Sequence, residues 1–390
     1  MTTKITAAAL LSLSLSISSS AQHIHQHIHT SNVHIGLAYP LSTNGVHAAE
    51  YTNKFSLHAI SGVSYSESAF CASGVVSVIR DSARGFVGSG FANIIGNNTT
   101  GMQGAGFINY TRNHVTGLQA AGFINVAGAV HGVQLGGFAN VLTSTAMPAD
   151  SASGTLAKDE ATTQVAGFVN VADSATAQIA GFVNVARNTG GAQVAGFINI
   201  ANDVDGAQVA GFINVAHKVK GVQLSGFINI ADSSDYPIGI INLIKNGQRA
   251  LGTMVDETGT TFVTFRSGGR KLYGVLAAGY NGSRSRSIYA CQAGLGAHLF
   301  NAGKFTLSAE GITTFLTGFR QHSDMQSSIR MVPSVRFGRV EVYAGPSFSY
   351  ALSYGPGGAP FDHRAFWSDK SYWHTHELYI GAVAGLQVHF

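Results

Sequence analysis

The chain is short of charge. Asp, Glu, Lys and Arg make up 11% of its 390 residues, against roughly 25% in soluble globular domains. So sparse a charge argues against a cytosolic enzyme. With 45% apolar residues, it also argues against intrinsic disorder, which needs low hydrophobicity and high net charge. The 23 basic and 19 acidic side chains are scattered singly and leave a net charge of +4. With no block of Lys or Arg, nucleic acid is not expected as a partner. Runs of about 18 apolar residues are missing, which excludes a polytopic helical membrane protein. Cysteine is nearly absent: Cys71 and Cys291 are the two present, and their spacing leaves open whether they pair. Walker loops, G-x-G-x-x-G after a strand and CxxC pairs are missing as well, so no cofactor is expected. Glycine, by contrast, is abundant at 48 residues. A Gly-rich, apolar, charge-poor chain without a spanning helix points to β-structure facing lipid or to a long β-solenoid.

Residues 1–21 read as a cleavable signal peptide. Lys4 is the basic start, Ile5 to Ile17 the apolar stretch, and Ser19-Ser20-Ala21 the small-residue cleavage site. A His-rich tail over 22–32 follows. In an extended chain His23, His25, His27 and His29 line one edge, and imidazole is a common ligand for Zn, Cu or Ni, so this tail is a candidate metal binder. The plainer alternative is a polar tail without a specific role. His374 and His376 beside Glu377 form a weaker cluster.

A repeat organises the middle of the chain. Its unit is G-x-Q-x-A-G-F-x-N-x-A, with Phe at 91, 107, 123, 138, 168, 182, 197, 212 and 227, and Asn two residues after each. The steps are 14 to 16 residues, apart from one of 30 that contains a Ser/Ala/Thr-rich insertion over 143–163. Within a copy the period is two. Ala207, Val209, Gly211, Ile213 and Val215 share one face; Gln208, Ala210, Phe212, Asn214 and Ala216 share the other. Such alternation describes strands with one greasy face.

Two architectures fit this pattern. The preferred one is an all-β antiparallel transmembrane barrel of about twenty strands, built partly from 15-residue repeats, since a transmembrane strand takes about ten residues and a turn the rest. The long connections 42–53, 143–163, 317–328 and 353–375 then fall on one side of the membrane, and the short turns at 67–71, 267–270, 300–303 and 338 on the other. Its parts are N-terminal barrel strands over 33–71, the repeat region 72–244 and C-terminal barrel strands over 245–390. The alternative is a parallel β-solenoid of repeats joined to a smaller C-terminal barrel, which would stack Asn on Asn and Phe on Phe.

The repeats resemble those of uncharacterised surface-repeat outer-membrane proteins of Gram-negative bacteria, including the leptospiral type. The match covers residues 72–244; Tyr39-Pro40 and Thr43-Asn44-Gly45 upstream are also similar, while the 143–163 insertion departs from the pattern. This resemblance implies an exported envelope protein and brings no activity or functional residues with it. The last segment alternates through Leu378, Ile380, Ala382, Ala384, Leu386 and Val388 to Phe390, which resembles the terminal signature read by the barrel-assembly machinery. The expected partners are therefore outer-membrane lipid, that machinery, and either a small polar solute or a surface ligand.

The functional reading is a non-enzymatic outer-membrane barrel, with a pore for small polar solutes as its main form. Gln193, Asn199, Gln208, Asn214, Gln223 and Asn229 would line the lumen, with Phe212 as a contact for sugars, or else form packed amide ladders. A surface-displayed adhesion or interaction module on a C-terminal barrel is the alternative. A barrel lipid hydrolase using Ser and His in outer loops, such as His322-Ser323-Asp324 or Asp362-His363, is a distant third. Glu310, Arg339 and Glu341 are candidates for ion pairs inside the barrel.

Overall fold

A computed structural model describes residues 28–143, 162–282, 289–318, 323–354, 365–371 and 374–390. The chain is all-β. A parallel β-solenoid of about 12 turns is followed by a closed barrel of 8 strands. Among the described residues no helix is long and apolar enough to cross a membrane.

One coil illustrates how the repeat folds. Lys218–Ser225 is a strand, Gly226 and Phe227 turn a corner, and Ile228–Ala231 is a second, shorter strand. Gly221, with φ of 127°, bends the first strand in its middle, a conformation that L side chains avoid. Val219, Gln223, Ser225, Asn229 and Ala231 point into the coil and are buried. At the corner a Cβ on Gly226 would lie 2.2 Å from the carbonyl oxygen of Gly211 one coil earlier. Only glycine therefore lets successive corners stack at strand spacing.

Stacking is parallel and in register: Gln208 lies beside Gln223 and Asn214 beside Asn229. The twenty-strand antiparallel meander is thereby overturned. In-register parallel pairing repeats the same side chain in every coil, so amides bond to amides and rings stack on rings. A meander would set each against unlike neighbours. Residues 33–71 belong to the same stack rather than to a barrel, because His29–Ala38 pairs parallel with Tyr51–His58, and that strand with Ser66–Ser73. The strands that flank the connections 42–53 and 143–163 accordingly belong to the solenoid, so the lengths of these connections do not describe barrel loops. Across the insertion the register is kept, with Gln134 beside Gln164 and Asn140 beside Asn170.

The barrel begins at Gln248. Its strands are Gln248–Val255, Thr261–Gly268, Leu272–Tyr280, Tyr289–Ala302, Phe305–Thr317, Ser323–Phe337, Val340–Tyr354 and His374–His389. Every pairing is antiparallel, and the first strand pairs with the last to close the cylinder. Three turns at one end are short, over 269–271, 303–304 and 338–339, the latter two using Gly303 and Gly338 at positive φ. Phe390 lies at that same end. The connections at the other end, over 281–288, 318–322 and 355–373, are longer.

Outward positions of the barrel strands are apolar. Leu251, Val263, Leu295, Ile329, Val342 and Ile380 are all exposed. Tyr280, Tyr289, Phe348 and Phe366 mark one rim and Phe300, Phe305, Phe337 and Phe390 the other. Between these rims no described outward position carries Asp, Glu, Lys or Arg. The outer surface of the barrel is thus an uncharged band between two aromatic rims.

The last solenoid coil meets the barrel on the outer side of its wall. Ser267 accepts from the backbone N–H of Asn242 at 2.9 Å and from its side-chain amide at 3.1 Å through Oγ and the carbonyl, respectively. Gly274, paired with Ser267 across the ladder, lies under the carbonyl of Ile240, where a Cβ would come within 2.1 Å.

Candidate functional site

The interior of the solenoid is a dry column of amides. Asn199 Nδ2 donates to Asn214 Oδ1, and Asn214 Nδ2 to Asn229 Oδ1, each at 3.0 Å. The glutamines run the opposite way, Gln208 Nε2 donating back to Gln193 Oε1 at 2.9 Å and Gln223 Nε2 to Gln208 Oε1 at 3.1 Å. Each Asn also donates to a backbone carbonyl of the next coil, as Asn199 does to Val209 at 2.8 Å. Gln193, Asn199, Gln208, Asn214, Gln223 and Asn229 are all fully buried. They form the packed ladders and face no lumen through which a solute passes.

Phe212 does not share their face. The corner at Gly211 turns the chain, so the ring projects outward and is 37% exposed while Ala210 and Asn214 point in. Phe91, Phe107, Phe123, Phe138, Phe168, Phe182, Phe197, Phe212 and Phe227 stack into one external column, with ring centroids 4.7 to 5.3 Å apart. Aliphatic rows flank it. On one side run Leu135, Val165, Ile179, Val194, Val209 and Leu224; on the other run Val171, Val185, Ile200, Val215, Ile230 and Leu243. Charges collect on the remaining edge and pair with one another there. Arg187 meets Asp173 at 3.1 Å, His217 meets Asp232 at 3.1 Å, and Lys245 also meets Asp232. The solenoid is thus amphipathic around its axis, a property visible in the sequence only once the corner is placed.

A second buried polar group fills the first coils. His34 Nε2 lies 2.9 Å from Ser42 Oγ, and His34 Nδ1 lies 3.2 Å from His58 Nε2 and 3.3 Å from Asn53 Nδ2. Glu67 accepts from Ser56 at 2.8 Å and from Asn53 at 3.2 Å. Burial pushes the Glu67 carboxyl up to about 7, against the Ser56 and Asn53 hydrogen bonds that pull it down. Burial, with a contribution from His34, holds the His58 imidazole down to about 4. The Ser42–His34 spacing is that of a nucleophile and its base, but His34 Nδ1 meets an amide and a second imidazole, not an orienting carboxylate. In the sequence this group is marked by nothing more than polar residues at alternate positions of a strand, His34, Ser56 and His58 among them.

Inside the barrel the space is occupied. Arg266 Nε donates to Glu310 Oε1 at 2.8 Å, Tyr273 donates to the same oxygen at 2.9 Å, and the Arg266 guanidinium sits 4.6 Å over the Tyr343 ring. Glu341 pairs with Arg336 at 3.5 Å and His389 at 2.5 Å. Met254, Phe262, Leu316 and Tyr379 pack above them. A cavity of about 30 Å³ lies among the charged groups, room for a water or two. Arg339 takes no part, because it lies exposed in the short turn before Val340.

The other candidate residues separate. His29 opens the first strand with its ring 5.1 Å from Tyr51; His23, His25 and His27 lie outside the described residues, as do residues 1–21, His322 and Asp362-His363. His376 faces outward to Tyr350, 2.6 Å away, whereas its neighbour Glu377 points into the barrel. Cys71 is buried in the solenoid, Cys291 is exposed on the barrel, and both are free thiols. Among the described residues no group of His, Cys, Asp and Glu is arranged to hold a metal.

Fold and site together define a parallel amide-ladder solenoid joined to a small, filled barrel. No family model, curated protein or solved structure matches the chain.

Proposed function

We propose that this protein is a non-enzymatic outer-membrane anchor that carries a long repeat module as an interaction scaffold. The uncharged belt between aromatic rims and the alternating last strand ending in Phe390 support insertion by the barrel-assembly machinery. The filled lumen speaks against conduction of small polar solutes.

The observation that carries the reading furthest is where the solenoid joins. It meets the barrel beside the turn at 269–271, at the end of the short turns and of Phe390. In outer-membrane barrels the short turns lie in the periplasm and the longer loops outside. The repeat module is therefore assigned to the periplasmic side, in place of display on the cell surface. Epitopes inserted after Gly282 and at Asn202 test this in intact cells. The first is expected to be labelled directly, and the second only after the outer membrane is permeabilised. Labelling of both in intact cells would restore surface display.

A further inference from the structure

One face of the solenoid is too apolar to stand in water. The Phe column and its aliphatic rows extend over nine stacked corners, about 40 Å at the spacing of paired strands, with no charged side chain among them. That exceeds the few hundred Å² of contiguous apolar surface which soluble monomers leave open. Beside the column runs an open groove of about 680 Å³ lined by Gly, Ala, Leu and Val.

The junction with the barrel shows which way this surface points. The outer-wall contacts climb the barrel in a definite order. Gly269, in the short turn, lies under Pro237 and the Asp235 carbonyl, and Lys271 covers the Tyr236 ring at 5.6 Å. Further from the turn, Gly274 lies under Gly239 and Ile240, the corner at which every other repeat carries its Gly-Phe. Gly274 in turn pairs with Leu295, an exposed residue of the apolar belt. The charged edge of the solenoid thus starts at the turn end of the wall, and the Phe column starts higher, at the margin of the belt.

We infer that the Phe column and its flanking rows are seated in the phospholipid leaflet nearest the short turns, so that the solenoid lies along the membrane with its charged edge toward water. Apolar burial drives the seating: on the opposite edge Arg187 and Lys245 are paired with Asp173 and Asp232, and the other charges there, Asp203, Asp205, Lys218, Lys220 and Asp235 among them, are of both signs, so that edge offers no net attraction to anionic headgroups. This inference rests on the barrel being the membrane anchor, and the test separates the two.

The full chain is reconstituted in vesicles of phosphatidylethanolamine and phosphatidylglycerol, and an environment-sensitive fluorophore is attached in turn to three positions. Native Cys291 reports the barrel belt. F197C and D205C, each in a C291S background, report the column and the charged edge. I230C, on the same apolar surface, replaces F197C if that variant fails to fold. Cys291 and the column position are expected to be quenched by spin-labelled phospholipid several-fold more than D205C, with aqueous iodide giving the reverse order. If Cys291 is lipid-quenched but the column is quenched by iodide, the solenoid stands clear of the membrane and the inference fails while the anchor stands. Shielding of the column from both quenchers would mean that protein covers it, which also overturns the inference. If Cys291 itself escapes lipid quenching, the anchor reading falls and this inference falls with it.

Discussion

Two residues show how much the coil depends on single atoms. A Cβ at Gly196 would sit 2.2 Å from the carbonyl of Gly181, whereas one at Gly190 meets nothing within 4 Å. Gly196→Ala is expected to loosen the stack by at least ~1–3 kcal/mol, as overpacking does, and to open it to limited proteolysis, while Gly190→Ala leaves it intact. Glu67 sets a pH dependence. Its folded carboxyl titrates near 7 against 4.5 when unfolded, so the folded state holds the proton longer and stability falls as pH rises through that window. His58, lowered to about 4 from 6.5, acts oppositely and loses stability as pH falls through its own range. Glu67→Gln should therefore slow hydrogen exchange in Tyr51–His58 and Ser66–Ser73 at pH well above 7 and change little near 4.5. The gain is at most a few kcal/mol, given about 1.4 kcal/mol per pKa unit. Equal protection at both pH values would show that Glu67 is not held protonated.

At the scale of elements, the amide ladders and the barrel network behave differently when cut. Asn199→Ala removes a donor to Asn214 and Val209 and one of the acceptors of Asn184, which keeps the Val194 carbonyl. A loss of about 1–3 kcal/mol is expected for the buried partners left unpaired, read as faster exchange confined to neighbouring coils. Arg266→Met leaves Glu310 buried without its countercharge, at a cost of about 3–5 kcal/mol, and the double change with Glu310→Leu should recover most of it. The check is the temperature at which the barrel loses compact migration in a cold detergent gel. The period, the inward amides and the barrel segment beginning near 245 were all legible in the sequence. Strand direction was not, because parallel coils and antiparallel hairpins share the same two-residue alternation. Phe212 was misplaced for a related reason: a corner that keeps parity is invisible to a count of alternate residues. The identity of Asn and Phe at every copy was the signal for stacking, and only like-on-like pairing puts such repetition to use.

For the whole molecule, nearest-neighbour stacking makes length adjustable. Deleting 193–207 joins Ala192 to Gln208 and sets Asn184 beside Asn214, so every surviving side chain keeps its face. The shortened protein is expected to fold, with an unchanged barrel and a solenoid about 5 Å shorter by scattering. Deleting an odd fraction of a coil would reverse inside and outside, and loss of barrel assembly in that variant alone would confirm the dependence on phase. The membrane side was the least legible property. The connections 42–53 and 143–163 read as barrel loops in the sequence, although the strands that flank them pair within the solenoid.

The contact between Asn242 and Ser267 carries a consequence for biogenesis. A stack of parallel strands ends in a row of open backbone donors and acceptors, and such a row recruits whatever strand arrives next. Here the barrel wall occupies that position. That position lies on Thr261–Gly268 and Leu272–Tyr280, which pair with each other in the cylinder closed by Gln248–Val255 and His374–His389. A chain whose barrel strands have not paired would leave that row open to other strands, so closure of the barrel doubles as the step that caps the stack.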